Sequence, residues 1–528
     1  MAKFNRTRVR PAVTSPVRTE TVPSGRTHEG APGYARDAKS ELFLLAVTNM
    51  VGEKTFYETG DTRDNRFRDL VHQVAVADGD WMAGFLPWLR TEANMRSASV
   101  VAALEAVRAR LAAGLNGGNR QLVADVLQRA DEPGEALAYW TSTYGRAIPK
   151  PVKRGIGDAV QRLYSERSLL KYDTAARGFR FGDVIDLTHP SPSPDKPWQG
   201  ALFQYALDRR HGRDVGREEL HRIGLDSIVA NMALRRRVGE GEHEVLLDAA
   251  ALKLAAMTWE DALSLAGPKV DKARLWEAII PSMGIFALVR NLRNFDQAGV
   301  SDEVAALVAG KIGDREVIAR SRMFPFRFLA AYQAVPSLRW AWPLEQSLNH
   351  SLANVPALAG RTLILVDRSG SMFGRVSERS GLNRGDSAAI FGTALALRAE
   401  NADLVEFGTR HRPVDVRPGE SLLSVLKRFG NLGGTNTAEA VRGNFRRHDR
   451  VVIVTDEQAY GGHYGADPTA QVPADVPVYT WNLAGYEHGH GPSGTGNRHV
   501  FGGLSDAAFG MIPLLEAARG SVGWPWEN

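Results

Sequence analysis

The spacing of apolar residues divides the chain into two parts with different local structure. Between Ser40 and about Pro343, apolar residues recur at intervals of three and four, which is typical of amphipathic helices. Gly, Pro or polar turns separate these segments, as at 117–118, 132–134 and 266–268. The pattern predicts antiparallel helix pairs stacked in a degenerate HEAT-like array, because no strict repeat of about 34 or 40 residues is present. The predicted helices include 42–51, 100–111, 122–127, 158–170, 274–280, 285–292 and 304–308.

From Arg361 onward the pattern changes to short apolar runs that alternate with helix-like segments. The apolar runs are 362–366, 404–407, 451–455 and 478–483, and the helix-like segments are 387–400, 422–429, 438–445 and 506–519. Strands that are apolar on both faces and alternate with helices predict a doubly wound parallel sheet. The predicted architecture is therefore multidomain, with an all-α helical-repeat domain at 36–355 followed by an α/β domain at 360–528.

The first 35 residues show no sustained periodicity and contain scattered Pro and Gly. Residues 1–40 hold eight Lys or Arg against three Asp or Glu, which equals the net charge of +5 of the whole chain. We therefore expect residues 1–35 to form a flexible basic arm. The rest of the chain is close to neutral, so any binding of nucleic acid by the folded body requires local basic patches.

Length and composition exclude several classes of protein. The chain has 528 residues, whereas single hydrophobic cores rarely exceed about 300 residues. It has no cysteine, which excludes disulfides, thiolate zinc sites and a Cys nucleophile. No apolar run reaches the roughly 18 residues of a membrane-spanning helix, and the N-terminus has no apolar signal core. We expect a soluble cytoplasmic protein in which any metal is bound by oxygen or histidine.

Polar side chains gather where the predicted strands end. The first strand runs into Asp-Arg-Ser-Gly-Ser at 367–371, a Gly-Gly-Thr-Asn-Thr loop lies at 433–437, and Asp456 follows the strand at 451–455. Ligands of open α/β sheets bind at the carboxyl ends of the strands. Carboxylate and hydroxyl oxygens suit a hard divalent cation. The sequence therefore predicts one divalent metal site at this edge of the sheet.

These three elements resemble the metal-ion-dependent adhesion site of von Willebrand factor A-type domains. The resemblance implies that two serines and a threonine bind the metal directly, while two aspartates hold coordinated waters. It also implies Mg²⁺ as the ion, and one open coordination position that a carboxylate of an acidic protein partner fills. The site residues carried over are Asp367, Ser369, Ser371, Thr435 and Asp456, with Thr437 as an alternative to Thr435.

Other chemistries have less support in the sequence. Neither a P-loop motif nor a Gly-x-Gly-x-x-Gly turn after a strand is present, and the Gly-rich stretch 489–496 has no Lys. His463, His488 and His490 lie in Gly-rich loops without partners at zinc-binding spacing, so we interpret them as surface histidines. No general base is evident near the metal loops, and we expect no enzymatic activity.

The helical part, placed before such a domain, resembles the TROVE module of the Ro 60 kDa autoantigen family and its bacterial or phage members. The matching stretches are 171–190, 276–292 and 322–326; the first contains Lys-Tyr, Arg-Gly-Phe and Asp-Val-Ile-Asp-Leu-Thr-His-Pro. The sequence departs from the family in that first stretch. Phe181 replaces the first His of the family, Arg180 replaces a Ser, and Asp186 replaces a basic residue.

The resemblance implies a ring of helical repeats that binds ends of misfolded or unprocessed noncoding RNA, with Y RNA on its outer surface. It further implies RNA quality control, or an adaptor role for an exoribonuclease such as polynucleotide phosphorylase. Such recognition needs cations along phosphate tracks. The candidate RNA-binding residues are Lys150, Lys153, Arg154, Lys171, Arg177, Arg180 and His189, whereas Arg290 is interpreted as a buried structural arginine. The alternative function is a helical scaffold whose adhesion-type A domain binds an acidic protein partner without RNA.

Overall fold

The computed structural model describes residues 12–48, 50–213, 220–221, 224–335, 337–375, 383–417, 419–461, 467–518 and 520–527. The chain divides into two compact units. The α/β unit comprises Met1–Ala98, Arg322–Ala330 and Leu348–Asn528, and the helical unit comprises Ser99–Ser321 and Ala331–Ser347. No described helix is long and apolar enough to cross a membrane.

Helices fill most of the chain between residues 38 and 351, as the apolar spacing predicts. They are Ala38–Thr48, Gly60–Ala77, Gly79–Thr91, Arg96–Ala112, Asn119–Val126, Glu132–Tyr144, Lys150–Leu163, Glu166–Tyr172, Phe181–Thr188, Gln199–Arg210, Asp226–Gly239, Ala249–Leu254, Trp259–Ala266, Lys272–Ile279, Ile285–Ala298, Asp302–Gly313, Arg315–Ser321, Pro325–Ala334 and Ala341–Ser351. The predicted helix 158–170 is in fact two helices. The first ends before Tyr164, and Ser165 caps the second by accepting from the Ser168 backbone N–H at 3.2 Å.

Among the described residues of the C-terminal part, six strands form one sheet, and a short hairpin lies near the N-terminus. The hairpin consists of β1 (Gly25–Arg26) and β2 (Pro32–Gly33). The sheet contains β3 (Leu358–Asp367), β4 (Ala399–Phe407), β5 (His411–Pro413), β6 (Arg450–Thr455), β7 (Val478–Asn482) and β8 (Arg498–Gly502). Its order is β5-β4-β3-β6-β7-β8, and only the edge strand β5 is antiparallel to its neighbour. The predicted doubly wound fold class is confirmed.

Helices flank the sheet and hold its central strand in place. They are Arg384–Arg398, Leu422–Leu426, Thr437–Asn444 and Met511–Ala517. Strand β3 is fully buried along its apolar half, as a central parallel strand must be. Helix Arg384–Arg398 packs closely on β3 because it carries Gly392: a Cβ there would lie 2.3 Å from a methyl group of Val366. This close packing supports the strand that ends at the predicted metal loops.

The structure differs from the predicted flexible arm at 1–35 wherever it describes that segment. Residues 12–36 run along the α/β unit, where the backbone of Tyr34 pairs with Gly489. Val17 is buried, with 2% of its surface exposed. Single backbone bridges and isolated apolar contacts leave no periodic pattern in the sequence, which is why this segment resembled a linker. Residues 1–11 lie outside the described residues.

The predicted start of the helical domain at residue 36 also differs from the division of the chain. Residues up to 98 belong to the α/β unit, although they are largely helical. Arg36 forms a fully buried ion pair with Glu457 at 2.5 Å. Arg63 donates to the backbone carbonyl of Ala484 at 2.7 Å. Helical periodicity shows which residues form a helix but not which unit the helix joins, so the sequence alone does not assign residues 36–98 to a unit.

Candidate metal centre and candidate nucleic-acid interface

The two predicted aspartates lie at the ends of neighbouring strands. Asp367 is the last residue of β3, and Asp456 directly follows β6. The two strands are parallel, with Val366 opposite Val454, so both aspartates lie at the same edge of the sheet. Strand order reverses around β3, since β4 lies on one side and β6 on the other. Ligands of open α/β sheets bind at this kind of switch point.

Hydrogen bonds fix the loop that follows β3. The Asp367 carboxylate accepts from the Ser369 backbone N–H at 2.8 Å and from the Thr455 hydroxyl at 2.6 Å, each through a different oxygen. The hydroxyl oxygens of Ser369 and Ser371 lie 3.2 Å apart. Asp367 and both serines are buried. Two serine hydroxyls are therefore held side by side next to a fixed carboxylate.

The 433–437 loop reaches the same edge. The backbone N–H of Gly370 donates to the carbonyl of Gly433 at 2.5 Å. Gly433 has a φ of +79°, in the left-handed region that favours glycine. Thr435 is 2% exposed, and its backbone carbonyl accepts from the Tyr460 N–H at 2.8 Å. This loop is thereby tied both to the serine loop and to the segment that follows Asp456.

Thr437, the alternative hydroxyl ligand, lies in the same loop. It is the first residue of helix Thr437–Asn444 and is 1% exposed. Its hydroxyl has no hydrogen-bond partner among the described residues. The 433–437 loop therefore brings two buried threonines, Thr435 and Thr437, to this region of the unit.

The electrostatics of this edge suit a divalent cation. Burial raises the pKa of Asp367, and burial together with the nearby Asp367 charge raises the pKa of Asp456 to about 7. One oxygen of Asp456 accepts from the Gln458 N–H at 3.1 Å, while the other is buried without a partner in the described structure. A cation, or a water bound to it, would satisfy that oxygen and offset the repulsion between the carboxylates. No three His, Asp or Glu side chains cluster as a metal site within the described residues, so a metal held here would need the hydroxyl oxygens as well.

Two residues that the sequence did not single out also reach this edge. The Tyr57 hydroxyl donates a short hydrogen bond to the Glu29 carboxylate, and it lies close enough to Asp456 for that charge to raise its pKa. Burial, reinforced by Glu29, raises the pKa of Tyr57 well above its usual range. Both residues come from the segment assigned to the arm and the helical domain. No local motif marks them, because they reach the site only through tertiary packing.

The histidines of the Gly-rich loops differ from their interpretation as surface residues. His490 is 1% exposed, and burial lowers its pKa. The loop that carries it is covered because Gly489 pairs with Tyr34 of the N-terminal segment. His488 is half-buried, and His463 lies outside the described residues.

Three of the predicted RNA-binding residues lie in the first turns of one helix. Lys150, Lys153 and Arg154 belong to helix Lys150–Leu163, which has no acidic residue in its first turn. Lys150 and Arg154 are exposed, and Lys153 is partly exposed. None of the three forms an ion pair with another described residue. Arg146, which the sequence analysis did not select, is exposed just before this helix.

Lys171 and Arg177 are exposed but already have partners. The ammonium group of Lys171 lies 5.0 Å from the ring centre of Tyr172. The Arg177 guanidinium pairs with Asp131 at 3.4 Å and with Glu135 at 3.2 Å. The positive charge of Lys171 therefore faces an uncharged ring, whereas two carboxylates partly compensate the charge of Arg177.

Arg180 forms an ion pair with a buried carboxylate of the helical unit. Its guanidinium lies 2.8 Å from the Asp173 carboxylate, whose side chain is 2% exposed. The same carboxylate accepts from the Phe181 backbone N–H at 2.8 Å. Phe181, at the position where the resembled family has His, stacks on Tyr164 with ring centres 3.8 Å apart. This segment is therefore a core element in which Phe181 replaces a polar group with an apolar contact.

His189 and Arg290 are both exposed. His189 has a φ of +47° and ends helix Phe181–Thr188, where its N–H donates to the Ile185 carbonyl at 2.9 Å. It thus has the capping role that αL residues have at helix ends. The interpretation of Arg290 as a buried arginine is wrong. Its helix, Ile285–Ala298, buries neighbouring apolar residues and turns Arg290 outward, without an ion pair to any described residue.

A model of the TROVE domain family matches residues 249–358. This part of the chain is therefore similar to TROVE domains. This match includes two of the three stretches on which the sequence resemblance rests, 276–292 and 322–326. The third stretch, 171–190, precedes it.

Two further comparisons agree with this result. The structure is similar to that of the Ro (RSR) protein of Deinococcus radiodurans, with a TM-score of 0.61, coverage of 91% of this chain and 99% of that chain, and 19% identity. At that identity the likeness establishes the fold. Telomerase protein component 1 of Mus musculus and of Rattus norvegicus are 37% and 36% identical over 83 residues, which is 15% of this chain and 3% of theirs. The predicted resemblance to TROVE and Ro proteins is confirmed.

Proposed function

We propose that this protein binds structured noncoding RNA through exposed cations of its helical unit, and that it has no catalytic activity of its own. The observation that carries the proposal is the group Lys150, Lys153 and Arg154, which are at least partly exposed and without ion pairs to described residues. They belong to a chain that is similar to TROVE domains over residues 249–358 and has the fold of a Ro protein.

The position of these cations supports a phosphate ligand. The N-terminus of a helix carries a partial positive charge, so acidic residues are favoured in its first turn and basic residues are not. Helix Lys150–Leu163 has basic residues there instead and no acidic one. A bound phosphate reverses this unfavourable arrangement, because the unpaired N–H groups and the side chains all attract it. Contacts of this kind position the RNA backbone without selecting a sequence.

The proposed ligands are ends of misfolded or unprocessed RNA and Y-like RNA. Single-stranded ends and loops expose phosphates and bases that a duplex hides, so cations without base-specific partners suit them. Among the similar proteins are telomerase protein component 1 and the Ro (RSR) protein, which supports this ligand class. We further propose that the RNA connects the protein to an exoribonuclease such as polynucleotide phosphorylase.

We also propose that the loops after β3 and β6 bind Mg²⁺ through Ser369, Ser371 and Thr435, with Asp367 and Asp456 holding its waters. The buried oxygen of Asp456 that has no partner among the described residues supports this assignment. When bound, the ion would supply an acceptor for one external carboxylate. A second candidate function follows from this site alone: a scaffold that binds an acidic protein partner through the metal, without RNA.

Filter binding tests the RNA proposal. A labelled RNA hairpin with a single-stranded 3′ end and a blunt duplex of the same length are compared at several salt concentrations. The hairpin is expected to bind more tightly, and the logarithm of its binding constant should fall linearly with the logarithm of salt concentration, by roughly 0.7–0.9 per phosphate contact. Absence of binding to either RNA at low salt would reject the proposal and leave the scaffold function.

A further inference from the structure

A cavity of about 410 Å³ lies in the α/β unit and is lined mainly by apolar side chains. Its walls come from helices Ala38–Thr48 and Gly79–Thr91, from the segment 501–514 and from Pro525. Its described lining residues include none of the proposed metal ligands or RNA-binding residues. Pockets of about 300–1,000 Å³ typically bind small molecules. The volume of this cavity therefore suits a ligand of that size.

Aromatic rings form part of the lining and are held by further rings. Phe43 and Trp88 both line the cavity and stack with ring centres 5.5 Å apart. Trp526 contacts both of them, with ring centres 6.3 Å from Phe43 and 5.6 Å from Trp88. A Cβ at Gly84 would lie 2.3 Å from the Trp526 ring, so Trp526 packs tightly against helix Gly79–Thr91. The aromatic surface is therefore fixed before a ligand binds, which lowers the entropy cost of binding.

Glu92 is the only charged residue among the described residues that line the cavity. Its backbone N–H donates to the Trp88 carbonyl at 2.8 Å, so the two side chains are one helical turn apart and lie on the same face. The Glu92 carboxylate is exposed and forms no ion pair with another described residue. Arg90 is buried and does not line the cavity. Glu92 also follows the C-terminal end of its helix, where the helix dipole disfavours a negative charge, so a bound cation would stabilise it.

We propose that this cavity binds a small organic cation with an apolar body, such as an arylalkylamine. The apolar body packs against Phe43 and Leu504, and the cationic group faces the Glu92 carboxylate and the Trp88 ring. Aromatic rings attract cations through the negative charge of their faces. An anion lacks a partner here, because no described lining residue is basic and Glu92 repels it. This inference depends neither on the proposed metal site nor on the binding of RNA.

Three probes of similar shape and different charge test the proposal on the full chain: phenethylammonium, phenethyl alcohol and phenylacetate. Calorimetric titration measures the affinity for each. Glu92→Gln removes the charge of the lining and keeps its shape. Asp80→Asn is the matched control, because Asp80 is an exposed carboxylate at the other end of the same helix. Circular dichroism during heating confirms that each variant is folded.

A further variant, Gly510→Leu, fills the cavity. Gly510 is part of the lining and has a φ of −57°, and a Cβ there would meet no atom within 4 Å. A leucine at this position therefore fits without backbone strain and takes up space that the ligand needs. This variant should weaken the binding of every probe that the wild type binds.

The wild type is expected to bind phenethylammonium about tenfold more tightly than phenethyl alcohol, and phenylacetate least tightly. Glu92→Gln should weaken the binding of phenethylammonium about threefold and leave that of phenethyl alcohol unchanged, whereas Asp80→Asn should change neither. Absence of binding by all three probes, or wild-type binding in Gly510→Leu, would overturn the cavity as the site. Equal affinity for the three probes, or equal effects of Glu92→Gln and Asp80→Asn, would overturn the preference for a cation.

Discussion

The proposed metal edge of the α/β unit, around Asp367 and Asp456, and the proposed basic face of the helical unit, around Lys150 and Arg154, would bind a charged ligand in opposite ways. Asp367 and Asp456 are fully buried and fixed by neighbouring hydroxyl and backbone groups. Lys150 and Arg154 are exposed and without ion pairs to described residues. The first region lowers the stability of the metal-free protein, because its buried carboxylates are desolvated and repel each other when no cation is bound.

This difference predicts different responses to mutation. A small cation needs several oxygens at fixed positions, so the loss of one ligand removes the site. A phosphate track consists of separate contacts in water, so each residue contributes a small, salt-dependent share.

Removing a residue of the metal edge should abolish Mg²⁺ binding. Asp367→Ala and Ser371→Ala each remove one oxygen group from a buried set, and the loss should exceed about 100-fold in affinity. Binding of RNA by the helical unit should not change. Calorimetric titration measures the metal affinity, and Asp475→Ala, an exposed aspartate in the same unit, is the control. Unchanged Mg²⁺ affinity in both site variants would contradict the proposed metal site.

Reversing the charge of the basic face should weaken RNA binding strongly but in graded steps. The variant combines Lys150→Glu, Lys153→Glu, Arg154→Glu and Lys171→Glu. It removes four proposed phosphate contacts, each of which contributes about 0.7–0.9 to the slope of log affinity against log salt concentration. The loss should be similar for Y-like and misfolded RNAs. Filter binding at several salt concentrations measures it.

The matched control reverses four other exposed cations of the helical unit, Lys253, Lys269, Lys272 and Arg293. This variant should retain the wild-type slope. If the control loses the slope and the first variant keeps it, the RNA track lies on the helices of the TROVE match instead.

The affinity of the metal edge for Mg²⁺ should depend on pH, whereas the affinity of the basic face for RNA should not change between pH 5 and 8. Burial and the Asp367 charge raise the pKa of Asp456 from 3.8 to about 7, so its proton must leave before the metal binds. Mg²⁺ affinity should rise about tenfold per pH unit up to pH 7 and then level off. Calorimetry at several pH values measures this dependence, and a flat profile would contradict it.

The same pKa shift predicts the stability of the metal-free protein. Because the folded-state pKa lies above the ordinary value, the contribution of Asp456 to the free energy of unfolding is fully present below about pH 4 and is lost as the pH rises toward 7. The Asp456→Asn variant should not lose stability in this way as the pH rises. Denaturant unfolding in the presence of a chelator measures the difference.

Substitution of Arg180 and of Arg177 should change the stability of the helical unit by different amounts. Arg180→Ala leaves the buried Asp173 with only Arg209, at 3.6 Å, and should lower the free energy of unfolding by about 1–3 kcal/mol. Arg177→Ala removes the ion pairs of a more exposed guanidinium, while Asp131 keeps Arg129 at 2.9 Å, and should cost less than about 1 kcal/mol. Denaturant unfolding measures both. Equal costs would mean that the greater burial of the Arg180 guanidinium does not distinguish the two arginines.

The sequence alone determined the two classes of secondary structure and the order of the metal loops. Apolar spacing of three and four predicted the helices, and buried β-branched runs predicted strands β3, β4, β6 and β7. Asp367 and Asp456 could be placed at one edge because the carboxyl ends of parallel strands meet there. Each of these inferences depends on residues close in sequence, or on a rule that holds for every sheet of this type.

Only the tertiary structure decided which unit the N-terminal segment joins and which cations are available to a ligand. Arg36 pairs with Glu457, 421 residues away, and Arg177 pairs with Asp131, 46 residues away, through contacts between segments that carry no shared motif. A single hydrogen bond or ion pair between distant segments leaves no periodic pattern, since it constrains one residue on each side. Local sequence determines the elements of this protein, whereas packing between distant segments determines the charges that face a ligand.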